Sequence, residues 1–91
     1  MTTTKIKILD NICYTELVYG RINKKLKSNY SKPEIEQLIL DIINETPETF
    51  FQKIGKNYYI TNDKNNIKIT VNSNTYRVIT VDRTIKEQPK I

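Results

Sequence analysis

Apolar residues recur every three to four positions in the first half of the chain and every two in the second. Leu9, Cys13 and Leu17 form one i+4 row, and Val18, Ile22 and Leu26 form the next. Together they predict a helix within Asp10–Lys27, with Asp10 or Thr15 as its cap and an apolar stripe that drifts around it. Gly20 interrupts this pattern. It fits either a close helix–helix approach or a break between two shorter helices. Ile35, Leu38, Ile39, Ile42 and Ile43 then form a core-facing stripe at i, i+3, i+4, i+7 and i+8. This second helix has an explicit start. Ser31 and Glu34 make an S-x-x-E capping box, and Pro33 sits in a first turn that needs no amide donor from it. Glu45-Thr46-Pro47 ends it.

From Phe50 the period shortens toward two, which predicts strands near 50–54, 57–61, 66–72 and 75–82. Gly55-Lys56 suits a tight hairpin turn, and the Asn-rich stretches around Asp63 and Ser73 suit the next two. The first hairpin is ambiguous, because two- and three-residue loops put Ile54 on opposite sheet faces. In the last hairpin, a two- or four-residue turn at Ser73-Asn74 sets Val71 opposite Tyr76, Ile69 opposite Val78 and Ile67 opposite Thr80. Tyr58 and Ile60 join that face, which meets the helices. The opposite face then carries Tyr59, Thr61, Lys68, Thr70, Arg77, Ile79, Val81 and Arg83. The predicted class is α+β: two N-terminal helices packed on one face of a four-stranded antiparallel meander, ααββββ. It forms a single domain over residues 1–91, with an ordered core at about 10–83 and a frayed tail at 84–91.

Composition narrows the chemistry. The 91 residues include no histidine and one cysteine, Cys13, which the helical row makes a core-facing small hydrophobe. The common zinc sites and every nucleophile–histidine dyad are therefore missing. Two glycines cannot form a phosphate loop. No cofactor and no metal are expected, and the sequence leans away from an enzyme. A small secreted domain normally carries several disulfides. The opening Met1–Leu9 lacks the apolar run of a signal peptide, and no apolar run is long enough to span a bilayer. These features predict a cytoplasmic protein with no membrane partner.

Charge is unevenly distributed. Residues 1–31 carry six basic and two acidic groups, a net +4. Residues 32–49 carry one basic and five acidic groups, a net −4, and residues 50–91 carry eight and three, a net +5. Arg21, Lys24 and Lys25 share a face of the first helix, where cations also suit the helix C-terminus. Glu34, Glu36, Asp41 and Glu45 read as a solvated face of the second. The −3 charge of residues 32–45 argues against that helix reading DNA. The open sheet face mixes Lys68, Arg77 and Arg83 with Tyr59, Ile79 and Val81. Cations beside rings suit single-stranded RNA, whereas exposed Ile79 and Val81 suit a protein partner or a second copy of the chain.

Three stretches carry a resemblance. They are Asn11–Tyr19 with Arg21–Leu26, then Gly55–Asn62, and Asn72–Arg83. They resemble a family of small uncharacterised proteins of Gram-positive bacteria, a domain of unknown function, which implies no activity and no catalytic residues. A second resemblance concerns topology. RelE/ParE-like toxins also place helices before an antiparallel meander, and Tyr76-Arg77-Val78-Ile79 is similar to one of their late strands. This implies ribosome-dependent RNA cleavage by basic and tyrosine side chains, here Lys53, Lys56, Tyr59, Lys68, Arg77 and Arg83. The favoured expectation is a non-enzymatic binding protein, with a protein partner or itself as a homodimer, using Tyr59, Lys68, Arg77, Ile79, Val81 and Arg83. The runner-up is an RNA binder or a RelE-like toxin. A phage-type inhibitor of a bacterial defence system is compatible with the size, though no residue points to it.

Overall fold

The computed structural model describes residues 3–84, and the tail expected from Ile85 onward lies outside the described residues. Three helices precede the sheet. They are α1 (Thr4–Asn11), α2 (Glu16–Leu26) and α3 (Lys32–Glu45). A 3₁₀ turn at Glu48–Phe50 leads into β1 (Phe51–Ile54), β2 (Asn57–Asn62), β3 (Ile67–Asn72) and β4 (Val78–Arg83), which lie in that order in one antiparallel sheet. The α+β class and the meander are as the periodicity predicts, with one helix more.

The extra helix comes from a break that the i+4 row hides. Thr3 caps α1 by accepting a hydrogen bond from the Ile6 amide at 3.1 Å. After Ile12 the chain is extended, and Cys13 forms a parallel bridge with Arg77: its amide donates to the Tyr76 carbonyl, and its carbonyl accepts from the Val78 amide, both at 2.9 Å. Leu9, Cys13 and Leu17 therefore do not share a helix face. Cys13 is exposed, and Leu17 is 81% exposed where the row placed it in the core. Gly20 lies inside α2 with open space at its Cβ position, so it marks neither a break nor a close approach. The core also reaches back to Ile8 on α1, ahead of Asp10.

Helix α3 follows its sequence closely. Both halves of the capping box form, and Ile35, Ile39, Ile42 and Ile43 are buried. At its end Thr46 is buried. Its hydroxyl donates to the Ile42 carbonyl at 2.5 Å and accepts from the Asn62 side-chain amide at 2.8 Å, so two interior polar groups satisfy each other. The core lies between the helices and one sheet face, where Ile60, Ile67, Ile69, Val71, Val78 and Val81 meet Val18, Ile22 and the α3 isoleucines.

The sheet register resolves the first hairpin and corrects the last. Ile54 pairs with Asn57 across a two-residue turn whose Gly55 has φ +61°, as a II′-type turn requires. Ile54 thereby lies on the face away from the helices, with Tyr59 and Thr61. In the last hairpin Asn72 pairs with Arg77, because the Asn72 side chain accepts from the Asn74 and Thr75 amides and Tyr76 takes φ +59°. Val71 thus faces Val78, not Tyr76. A β-bulge follows. Val78 and Thr80 oppose the adjacent residues Val71 and Thr70, which leaves Ile79 unpaired. Past the bulge every side chain changes face. Val81, expected on the open face, is 1% exposed in the core opposite Ile69, and Thr80 moves to the open side.

Candidate functional site

Helix α2 packs chiefly along β4, at the edge of the sheet. Val18, Ile22 and Leu26 turn one side of α2 into the core. Leu17, Arg21, Lys24 and Lys25, at i, i+4, i+7 and i+8, occupy the neighbouring side, which overhangs the strand. The bulge aims the Ile79 carbonyl at this helix, and the Arg21 guanidinium donates to it at 3.2 Å. Lys25 pairs with Asp82 at 2.8 Å, and Arg83 donates to the Leu26 carbonyl at 3.2 Å.

A groove of about 750 Å³ opens between the two elements, lined by Arg21, Lys24, Lys25, Ile79 and Thr80. A second hollow of about 200 Å³ shares Arg21 and Ile79 with it and extends past Leu17 to Arg77. The two hollows adjoin at Arg21 and Ile79, and together they make a trough lined by the Arg21 guanidinium, by Lys24 in the larger hollow and Arg77 in the smaller, and by Leu17 and half-buried Ile79 as apolar contacts. Among the described residues neither Lys24 nor Arg77 has an acidic partner. The trough offers positive charge and aliphatic surface. Such a lining suits the binding of an anionic, partly apolar group.

The expected site residues divide accordingly. Arg77 and Ile79 line the trough. Tyr59 and Lys68 remain together on the open face, with the Lys68 ammonium 5.6 Å from the Tyr59 ring centre, beside a depression of about 450 Å³ shared with Gln52, Ile54 and Thr61. Val81 is in the core, and Arg83 lies on the helix side of β4 at the opposite end from Arg77. Of the cations that the toxin resemblance adds, Lys53 lies opposite Tyr58 on the helix side of β1 and Lys56 sits in the first turn. The RNA-contact set is therefore dispersed over both faces and both ends of the sheet.

Leu17 and the union of the α2 cations with Ile79 are the parts that sequence reasoning missed. A signal was present. In Val78-Ile79-Thr80-Val81 two core-type valines stand three apart, a spacing that strict alternation forbids and a bulge permits.

A tyrosine cluster lies on the other side of α2. Tyr14 and Tyr19 stack at 5.6 Å, Lys32 sits 5.3 Å above the Tyr19 ring and pairs with Glu16, and the Tyr19 hydroxyl donates to Glu36 at 2.6 Å. That bond to a carboxylate, with desolvation, pushes the Tyr19 phenol up to about 12. Burial, then the Glu36 charge, raises the Tyr14 phenol as well, and its hydroxyl is buried without a hydrogen-bond partner among the described residues.

Residues 6–82 match the family described as Protein of unknown function (DUF3781). The chain belongs to the DUF3781 family. No curated protein and no solved structure matches it. For this DUF3781 chain the described residues include no group of three or more His, Cys, Asp or Glu side chains placed to hold a metal, and no helix long and apolar enough to cross a membrane.

Proposed function

We propose that this DUF3781 chain is a non-catalytic binding module and that its contact surface is the trough between α2 and β4. The observation that carries the reading is the meeting of Lys24 and Arg77, two cations without an acidic partner among the described residues, with Leu17 and Ile79 along adjoining hollows. Leucine at 81% exposure gains about 25 cal/mol per Å² when a partner covers it. Unpaired cations around it steer an oppositely charged partner and fix its orientation. RNA binding draws less support, because Tyr59 and Lys68 stand apart from Arg77 and Arg83. The lone exposed thiol of Cys13 suits a reducing compartment, in keeping with a cytoplasmic module.

The test is co-purification from native extract of three tagged chains: the wild type, a trough variant carrying Leu17→Asp and Lys24→Glu, and an open-face variant carrying Tyr59→Ala and Lys68→Ala. The expected result is a stoichiometric protein partner on the wild type and the open-face variant, absent from the trough variant and indifferent to nuclease. A partner kept by the trough variant and lost by the open-face variant would move the surface to the sheet. Nuclease-sensitive recovery would return the reading to RNA.

A further inference from the structure

We infer that the occupant of the trough is an acidic, aliphatic segment of a partner protein. This rests on the trough reading above and adds the chemistry of what binds there.

The lining itself selects. Arg21, Lys24, Lys25 and Arg77 supply positive charge, of which Asp82 neutralises one part. Arg21 uses one guanidinium nitrogen on the Ile79 carbonyl, which holds the fork in place and leaves its remaining N–H groups for a carboxylate. Between the cations the surface is aliphatic, Leu17 and Ile79, which matches leucine, isoleucine or valine side chains.

A nucleic acid finds phosphate partners here but no seat for its bases. No aromatic ring lines the trough. Tyr14 and Tyr19 stack on each other, Tyr58 faces Tyr76 at 6.4 Å, and Tyr59 lies beneath Lys68 on the sheet. Base stacking, the main sequence-tolerant contact for single strands, is therefore unavailable.

A second copy of the chain also fits poorly. Its acidic helix α3 turns its isoleucines into its own core. The carboxylates of α3 are engaged as well: Glu34 with the Ser31 amide, Glu36 with Tyr19, Asp41 with Gln37 and Glu45 with Asn65. The charge and apolar side chains of α3 are thus committed within its own chain, which favours a complementary segment from another protein.

The experiment selects peptides from a random library of about twelve-residue segments displayed on phage, using the full chain as bait, and measures the enriched peptides by fluorescence anisotropy beside an oligouridylate of similar length. Leu17→Asp is placed in the first turn of α2, where an acidic residue suits the helix N-terminus, so the variant folds. Circular dichroism checks this. The expected result is enrichment of Asp and Glu interspersed with Leu, Ile or Val, with affinity falling about tenfold or more in Lys24→Glu and in Leu17→Asp and unchanged in Tyr59→Ala. Tighter binding of the oligouridylate, weakened by Lys24→Glu, would overturn the partner class and leave the trough standing. Enriched peptides whose affinity ignores both trough substitutions would overturn the trough reading itself. Enrichment of basic or neutral peptides, or none at all, would overturn the inference.

Discussion

Tyr19 holds three interactions at one side chain: a ring stack with Tyr14, a cation over its face and a hydrogen bond to Glu36. It thereby clips the start of α2 to the start of α3. Both phenols are harder to ionise in the folded chain than in the unfolded one. Below a pH of about 10, the unfolded value, both states hold these protons and the contribution to stability is complete. Above it the unfolded state loses them first, so stability falls as the pH rises through the Tyr19 value of about 12. An alkaline titration following tyrosinate absorbance and ellipticity together is expected to show a late phase coincident with unfolding, reduced in Tyr19→Phe. A titration complete before any loss of ellipticity would contradict the cluster. Val81 and Leu17 test the register at the same scale. Val81→Ala is expected to cost about 1–3 kcal/mol through lost burial and the cavity left behind, and Leu17→Ser about 0.5 kcal/mol or less. Equal losses in chemical denaturation would put both residues in the same environment, against the bulge and the α1–α2 break.

Among the elements, α3 was the most legible because its signals are local. A capping box and five apolar residues at helical spacing depend on nothing outside the segment. Ser31→Ala is expected to cost about 1 kcal/mol and Ile39→Ala about 2–5 kcal/mol, as chemical denaturation would measure. A similar small loss from both would make α3 peripheral. The strands were legible in existence and order for the same reason. Their facing was not, because parity depends on turn conformation and bulges that local spacing leaves open. Tyr76 in the left-handed region and Ile79 without a partner are both set by the Asn72 side chain and the packing of α2 on β4. The α1–α2 break is likewise made by a distant partner. Cys13 leaves the helical path to form an isolated bridge with Arg77, 64 residues later and just ahead of β4. The buried Thr46–Asn62 pair belongs here too. Thr46→Val leaves the Asn62 amide without its acceptor and is expected to cost about 1–3 kcal/mol. A neutral result in the same assay would mean that the amide finds another acceptor.

Across the whole molecule, the site was half legible. The cations of the first helix and the apolar late strand were each apparent in the sequence as separate features. Only the packing of α2 along β4 brings them to one surface, while the bulge in β4 removes Val81 from it and the α1–α2 break leaves Leu17 exposed beside it. The charge division follows the architecture. Four of the ten acidic groups lie on α3, where each accepts a hydrogen bond, and along the α2–β4 edge Lys24 and Arg77 have no acidic partner among the described residues. The measurement that bears most directly on the central claim is a two-dimensional amide NMR titration of the full chain with an acidic, aliphatic peptide obtained as above. The account predicts that the largest shifts fall on Leu17–Lys25 and Arg77–Asp82, with Gln52–Thr61 and Lys68 unmoved. Shifts centred on Ile54, Tyr59 and Lys68, with the trough silent, would contradict it.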